Sequence, residues 1–180
     1  TQPETGEGRI ALTRAHLAVG NTQAARATLA PFWHTERMEP GEEASMIREF
    51  GRLLPASDHW ARMEAMLHID RVTSAERVAG LAGGEALTKA WAAVIRGENN
   101  AGRLLAAVPQ AQRKAGFFFA QARHQRRAEH YKEAAQTVLQ APTGTLRANA
   151  PGTGRGAGRP SLRRRQRSRP DAPRRSCRRG

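Results

Sequence analysis

The 180-residue sequence predicts an all-α fold of helical-hairpin repeats stacked as an α-solenoid or superhelix, with a disordered C-terminal tail. Three observations predict it. Val and Ile together number only ten, so the branched residues that sheets favour are scarce. Ala supplies 29 of the first 146 residues, and Ala is the strongest helix former. Apolar residues recur at helical spacing in short segments punctuated by Gly, Asn and Pro. A closed helical bundle is the alternative packing of the same elements.

The first helix is punctuated by Ile10, Leu12, Ala15 and Val19, and Gly20-Asn21 turns the chain because both residues tolerate positive φ. Thr22 is the expected N-cap of a second helix through Ala24, Ala25, Thr28 and Leu29, interrupted at Pro31 before Phe32-Trp33. A helix from Glu42 to Leu54 follows, with Met46, Ile47, Phe50, Leu53 and Leu54 on one face and Pro55 ending it. Ser57 or Asp58 is expected to cap the next, whose stripe is Trp60, Met63, Met66 and Leu67. Ser74 starts a short helix closed by Gly83-Gly84. Leu87, Trp91, Val94 and Ile95 then give the clearest amphipathic pattern in the chain. After the Gly97–Asn100 turn, Leu104, Leu105 and Val108 lead to Pro109. Helices from Gln112 to Arg127 and from Glu129 to Gln140 complete the body, the last with Tyr131, Ala134, Ala135, Val138 and Leu139 on one side. Gln23-Ala24-Ala25-Arg26-Ala27-Thr28-Leu29 matches Glu133-Ala134-Ala135-Gln136-Thr137-Val138-Leu139, and a proline follows each copy. A paired-Ala helix lets a neighbouring backbone approach closely, which is how hairpin repeats bury their faces against the next pair.

Charge divides the chain. Residues 1–146 hold 18 Lys and Arg against 15 Asp and Glu, so this body requires no polyanionic partner. Residues 147–180 hold 12 Arg, one Asp and no Lys, with Leu162 as the lone large aliphatic residue. Such a segment cannot bury enough apolar surface to offset chain entropy, so disorder is expected. One reading is an Arg-rich arm for nucleic acid or an anionic surface, with runs such as Arg163-Arg164-Arg165 on phosphates but no aromatic residue to stack bases. Another is an out-of-frame translation of a GC-rich gene, since Arg, Gly, Pro and Ala belong to codon families fixed by G and C. The body shows the same bias, 15 Arg against three Lys, and the absence of Lys points to codons, so a nucleic-acid partner is not expected. An ordinary linker is the third.

The chemistry-bearing residues are scattered. The single Cys177 excludes an internal disulfide framework and a Cys-based zinc site. Gly152–Gly156 imitates a phosphate loop with no strand before it. His124 and His130, with Glu129 beside the second, stand six apart across an expected turn and read as a surface pair. His16, His34, His59 and His68 read as helix-surface residues, and Glu42-Glu43 as first-turn acids favouring the positive end of a dipole. Phe117-Phe118-Phe119 cannot all face one way, so one is expected at the surface while the others pack between helix layers; Trp33, Trp60 and Trp91 are expected to lock hairpins. No catalytic, cofactor-binding or metal-ligating residue is nominated, and no cofactor is expected. No apolar run is long enough to span a membrane. The chain starts at Thr1 with a polar, acidic segment that is no signal peptide, and an internal piece of a longer protein is expected.

The stretches Ile47–Leu54, Asp58–Leu67, Arg71–Leu81 and Ala92–Glu98 resemble the α-superhelical part of soluble lytic murein transglycosylases. Tyr131–Ala135, with Leu139 and Ala141-Pro142, is similar to the same family, so that the resemblance covers residues 7–146. It implies a periplasmic, peptidoglycan-active parent in which a helical superhelix precedes a lysozyme-like domain. There a Glu within a Glu-Ser pair cleaves between N-acetylmuramic acid and N-acetylglucosamine and leaves a 1,6-anhydro end. No Glu-Ser dipeptide occurs in this sequence, so none of those catalytic residues maps onto it. The resemblance therefore implies a truncated, non-catalytic scaffold whose partners are glycan strands or the absent catalytic domain. The alternatives are a tetratricopeptide-like protein-binding adaptor and a nucleic-acid binder acting through its Arg-rich tail.

Overall fold

A computed structural model describes residues 5–142. Among them lie nine α-helices, two short 3-10 turns and no strand, which agrees with the all-α expectation. The expected tail at 147–180, with Cys177 and Gly152–Gly156, lies outside the described residues.

The helices are α1 (Gly6–Ala18), α2 (Thr22–Thr35), α3 (Pro40–Phe50), α4 (Ala56–His68), α5 (Val72–Ala82), α6 (Glu85–Arg96), α7 (Ala101–Ala106), α8 (Ala115–Arg127) and α9 (Tyr131–Leu139). Most of the packing is between sequence neighbours: α1 on α2, α4 on α5, α6 on α7 and α8 on α9. A second set of contacts skips one helix, α2 to α4, α4 to α6 and α6 to α8.

One turn recurs. Gly20, Asp70 and Glu129 each have φ near +60 to +73°, each one residue past a helix C-cap and one before the next N-cap. In each, the left-handed residue donates to the carbonyl three back, and the next residue to the carbonyl five back. The pairs are Gly20 to Leu17 with Asn21 to His16, Asp70 to Leu67 with Arg71 to Met66, and Glu129 to Arg126 with His130 to Gln125. These bonds take up the orphan carbonyls at a helix end and reverse the chain in the fewest residues. Gly83 and Gly97 close α5 and α6 with the same pair of bonds.

Several boundaries differ from expectation for identifiable reasons. Asn21, not Thr22, caps α2, its side chain accepting from the Ala24 N–H at 3.0 Å. Pro31 does not interrupt α2, which runs on to Thr35. Proline deprives only the Ala27 carbonyl of its partner, and both residues lie on the exposed side, where solvent can take that carbonyl. α3 begins at Pro40, with a capping box between Glu39 and Glu42, and stops at Phe50, since Gly51–Leu53 tightens into a 3-10 turn before Pro55. α4 follows Pro55 with no side-chain cap, so neither Ser57 nor Asp58 has that role. α5 opens at Val72, two residues before Ser74, α8 starts at Ala115 rather than Gln112, and α9 spans only Tyr131–Leu139. In α1 the buried residue is Thr13, bonded to the Arg9 carbonyl, while Val19 is exposed.

The core runs along the even-numbered helices and their partners. Leu29, Trp33, Phe50, Met63, Met66, Leu67, Leu87 and Trp91 are each buried to within 1%. Each such aliphatic side chain contributes about 1.5–3 kcal/mol through burial. The amphipathic stripe read on α6 is buried at Leu87, Trp91 and Val94, yet Ala90, Ala92 and Ala93 on its other sides are buried too. α6 touches α4, α5, α7 and α8, and alanines let four helices approach one.

Candidate functional site

The α2–α4 seam is the most polar part of the interior. Arg62 is fully buried in α4. Its Nε donates to Glu43 Oε1 at 2.6 Å, and its Nη1 to the carbonyls of Trp33 at 2.6 Å and Glu36 at 2.9 Å. Those carbonyls lie at the C-terminal end of α2, where helical carbonyls lack partners and the dipole is negative, so Arg62 caps the helix from the side. Its guanidinium also lies 4.4 Å from the Trp33 ring centroid. Glu43, 1% exposed, takes a second cation, Arg77 from α5, on Oε2. One carboxylate thereby ties α3 to α4 and α5. Burial pushes the Arg62 pKa down, against the upward pull of Glu43. Beside this network Asp58 accepts from Arg26 Nε and bonds His34 Nε2, both at 3.0 Å, and His59 packs edge-on to Trp33 at 5.4 Å.

A second buried acid, Glu64, lies where α4 meets α8. It accepts from the Gly116 backbone N–H at 3.2 Å. Burial pushes its carboxyl pKa up, opposed by Trp60, Gly116 and Lys114. Lys114 reaches over the Trp60 ring at 3.9 Å. Gly116 is required by space: a Cβ there would press on the Glu64 carboxylate and stand 2.7 Å from the Trp91 ring.

Two surface features could receive a ligand. A cleft of about 780 Å³ opens between α1, α2 and α3, with Ile10, Phe32, Met38 and Met46 as apolar lining and Arg14, Glu36, Glu42 and Glu49 among its polar residues. Arg14 grips Glu49 in a two-point pair at 2.6 and 2.8 Å, which holds Glu49 below the usual carboxylate range and leaves it ionised at neutral pH. An aromatic ridge lies where α4, α6 and α8 converge. His68 packs edge-on to Trp91 at 4.8 Å and to Phe119 at 4.6 Å, and Trp91 lies 5.5 Å from Phe119. Trp91 is fully buried, Phe119 is 41% exposed and Ile69 is 42% exposed. Arg123 holds Asp70 at 2.6 and 2.9 Å beside them, keeping the Asp70 pKa low.

The residues singled out in the sequence fare unevenly. Phe117 is buried, Phe118 half-buried and Phe119 exposed, as three consecutive helical aromatics require. His124 lies in α8 and His130 precedes the first residue of α9 without a side-chain cap, with the turn at Glu129 between them. His59 is not a surface residue: it is 5% exposed and desolvation lowers its pKa. His68 is exposed overall, but desolvation of its packed ring lowers its pKa too, and half-buried His34 bonds Asp58. Glu42 lies in the first turn of α3 as expected and accepts from the Glu39 N–H, whereas Glu43, in the same turn, is an interior anchor. Trp33, Trp60 and Trp91 are all buried, Trp91 in mid-helix. Arg62 and Glu64 were missed, and Glu43 was read only as a first-turn acid, although each is a charged residue in register with an apolar stripe. Glu43 precedes Met46 and Phe50, Arg62 lies between His59 and Met66, and Glu64 lies between Trp60 and Leu67.

No protein-family profile, curated protein or solved structure matches this chain.

Among the described residues, no group of three or more His, Cys, Asp or Glu side chains is arranged to hold a metal ion, and no helix is long and apolar enough to cross a membrane. The buried charges are engaged with protein partners and clamp helices, and the cleft and the ridge offer apolar or aromatic surface beside exposed polar groups.

Proposed function

We propose that the chain is a curved scaffold of stacked helical hairpins, of the kind that precedes the catalytic domain in soluble lytic murein transglycosylases, and that it presents a face to peptidoglycan glycan strands. The observation that carries this reading is the repeated hairpin unit. The same left-handed turn, with the same two backbone bonds, joins α1 to α2, α4 to α5 and α8 to α9. The skipping contacts α2–α4–α6–α8 supply what a solenoid needs, each pair resting on the next. The resemblance of residues 7–146 to that family supports the choice of ligand and of a periplasmic setting. The reaction belongs to a separate lysozyme-like domain, and this chain's contribution is support and strand binding.

Cosedimentation of the purified chain with peptidoglycan sacculi tests the proposal. The chain is expected to sediment with sacculi and to release no anhydro-muropeptides detectable by mass spectrometry. Failure to sediment removes the reading, and release of anhydro products removes its non-catalytic part. A tetratricopeptide-like adaptor is the second reading, favoured by the same hairpin unit. It predicts that the chain ignores sacculi and captures a peptide or protein instead.

A further inference from the structure

We propose that the cleft between α1, α2 and α3 is the docking site of a basic peptide segment from a partner protein, with one large apolar side chain on the cleft floor and Lys or Arg beside it on an acidic rim. The proposal is independent of the scaffold reading; it rests on the adaptor reading and gives that reading a site and a peptide chemistry.

The floor is an outcrop of the core. Ile10 of α1, Phe32 of α2, Met38 of the link to α3 and Met46 of α3 line the cleft. Met38 and Met46 are nearly buried, and half-buried Ile10 and Phe32 pack against the core, so folding positions all four before a ligand arrives. A surface fixed in advance loses little freedom on binding. Gly6 lets the first turn of α1 lie directly on Phe32, since a Cβ there would stand 2.8 Å from the ring. The two thioethers are polarisable and adapt to the shape of an incoming side chain. The volume of about 780 Å³ falls within the range of roughly 300–1,000 Å³ typical of specific ligand clefts.

The rim is acidic. Glu7, Glu36, Glu42 and Glu49 line the cleft against two cations, Arg14 and Arg37. Arg14 is spent on Glu49 through its two-point pair. Glu42 accepts the Glu39 N–H on one oxygen and keeps its charge. Glu7 and Glu36 are exposed and form no ion pair among the described residues. Residues 1–146 as a whole carry slightly more Lys and Arg than Asp and Glu, so the acid excess belongs to this cleft and not to the surface in general.

Glu36 argues most directly for a cationic ligand. It is the C-cap of α2, at the negative end of the helix dipole, where a carboxylate is disfavoured and a cation is favoured. Its backbone carbonyl accepts from Arg62, but its side chain bonds nothing among the described residues. A Lys or Arg from a ligand would meet the dipole and the carboxylate together. The same rim repels a nucleic acid or an acidic peptide. A wholly apolar ligand would cover the floor but desolvate the carboxylates without pairing them.

The test is fluorescence anisotropy of the full chain with labelled, N-acetylated hexapeptide pools that hold one Leu or Phe flanked by Lys and Arg, by Glu, or by Ser. In a second arm a diazirine analogue of leucine replaces that residue, and its photocrosslinks are mapped by mass spectrometry. The Lys and Arg pool is expected to bind and to crosslink at Ile10, Phe32, Met38 or Met46. Glu7→Lys with Glu36→Lys reverses two exposed charges, so the pair is expected to leave the melting temperature near that of the parent while weakening this binding about tenfold or more. Glu7→Gln with Glu36→Gln is expected to weaken it several-fold. If the Glu or Ser pool crosslinks in the cleft as strongly, the charge assignment is overturned. Crosslinks elsewhere, or unchanged binding by the double Lys variant, overturn the site while the adaptor reading stands. Binding by no pool overturns the proposal outright. Sedimentation with sacculi bears on none of these outcomes.

Discussion

Helices α2 and α9 carry seven-residue stretches that match at two alanines and a leucine, and they end up in different surroundings. In α2, Ala25 and Leu29 are fully buried, because α4 crosses that face and Arg62 bonds the carbonyls at its end. In α9 the matching Ala135 is exposed, Val138 is 51% exposed and Leu139 is 84% exposed. α9 packs chiefly on α8, through Ala134 and through Thr137, whose hydroxyl donates to Gln125 at 2.8 Å. Helical spacing tells which side of a helix is apolar; whether a neighbour arrives to cover it is decided elsewhere in the chain.

The sharpest way to break this contrast is to remove what holds α4 against α2. Arg62→Ala leaves Glu43 buried with one cation and strips two carbonyls of their donor, so a loss of about 3–5 kcal/mol is expected in urea unfolding. Replacing both partners, Glu43→Leu with Arg62→Met, is expected to cost far less than that. Equal losses would mean that the pair stabilises the fold beyond its desolvation cost. Next in size is the matched truncation: Leu29→Ala should cost about 2–5 kcal/mol and Leu139→Ala under about 0.5 kcal/mol. Similar values for the two would show that the α9 face is covered in solution.

The pH response sharpens the comparison at the other acid. The folded pKa of Glu64 lies above its unfolded value, so the native state holds that proton more tightly. Its contribution is fully present below the unfolded pKa of about 4.3 and fades as pH rises through the folded value. Glu64→Gln keeps an acceptor for the Gly116 N–H and should remove the fade. The variant is therefore expected to melt higher than the parent at pH 7 and to converge with it near pH 4. A constant offset across that range would place the effect in packing. The smallest effect is at the turns. Glu129 holds φ 61° where Gly20 holds 73°. Glu129→Gly is expected to stabilise by about 0.5 kcal/mol, the relief of left-handed strain less the added freedom of the unfolded chain. No gain in melting temperature would mean that the Glu129 side chain contributes to the turn.

Much of the helical pattern was legible. The turns at Gly20, Gly83 and Gly97 and the stripe Leu87–Trp91–Val94 follow from local chemistry, whereas the helix expected to run to Pro55 already stops at Phe50. Start sites were less so, because α4 begins after Pro55 with no side-chain cap and Asp58 serves Arg26 and His34 across the seam instead. Left-handed Asp70 and Glu129 were not foreseen as turn residues, since neither is a glycine or an asparagine. The Glu43–Arg62 pair spans 19 residues and the Glu64–Gly116 bond 52, distances over which periodicity carries no information. Phe119 was legible as the odd ring out of three; its support by His68 and Trp91 was not, because it joins three helices.

A single hydrogen atom governs the approach of α8 to α4. The missing methyl at Gly116 is what allows the Glu64 carboxylate and the Trp91 ring to share that position. A larger residue there would act as a wedge, prying the eighth helix outward. α9, which packs chiefly on α8, would move with it.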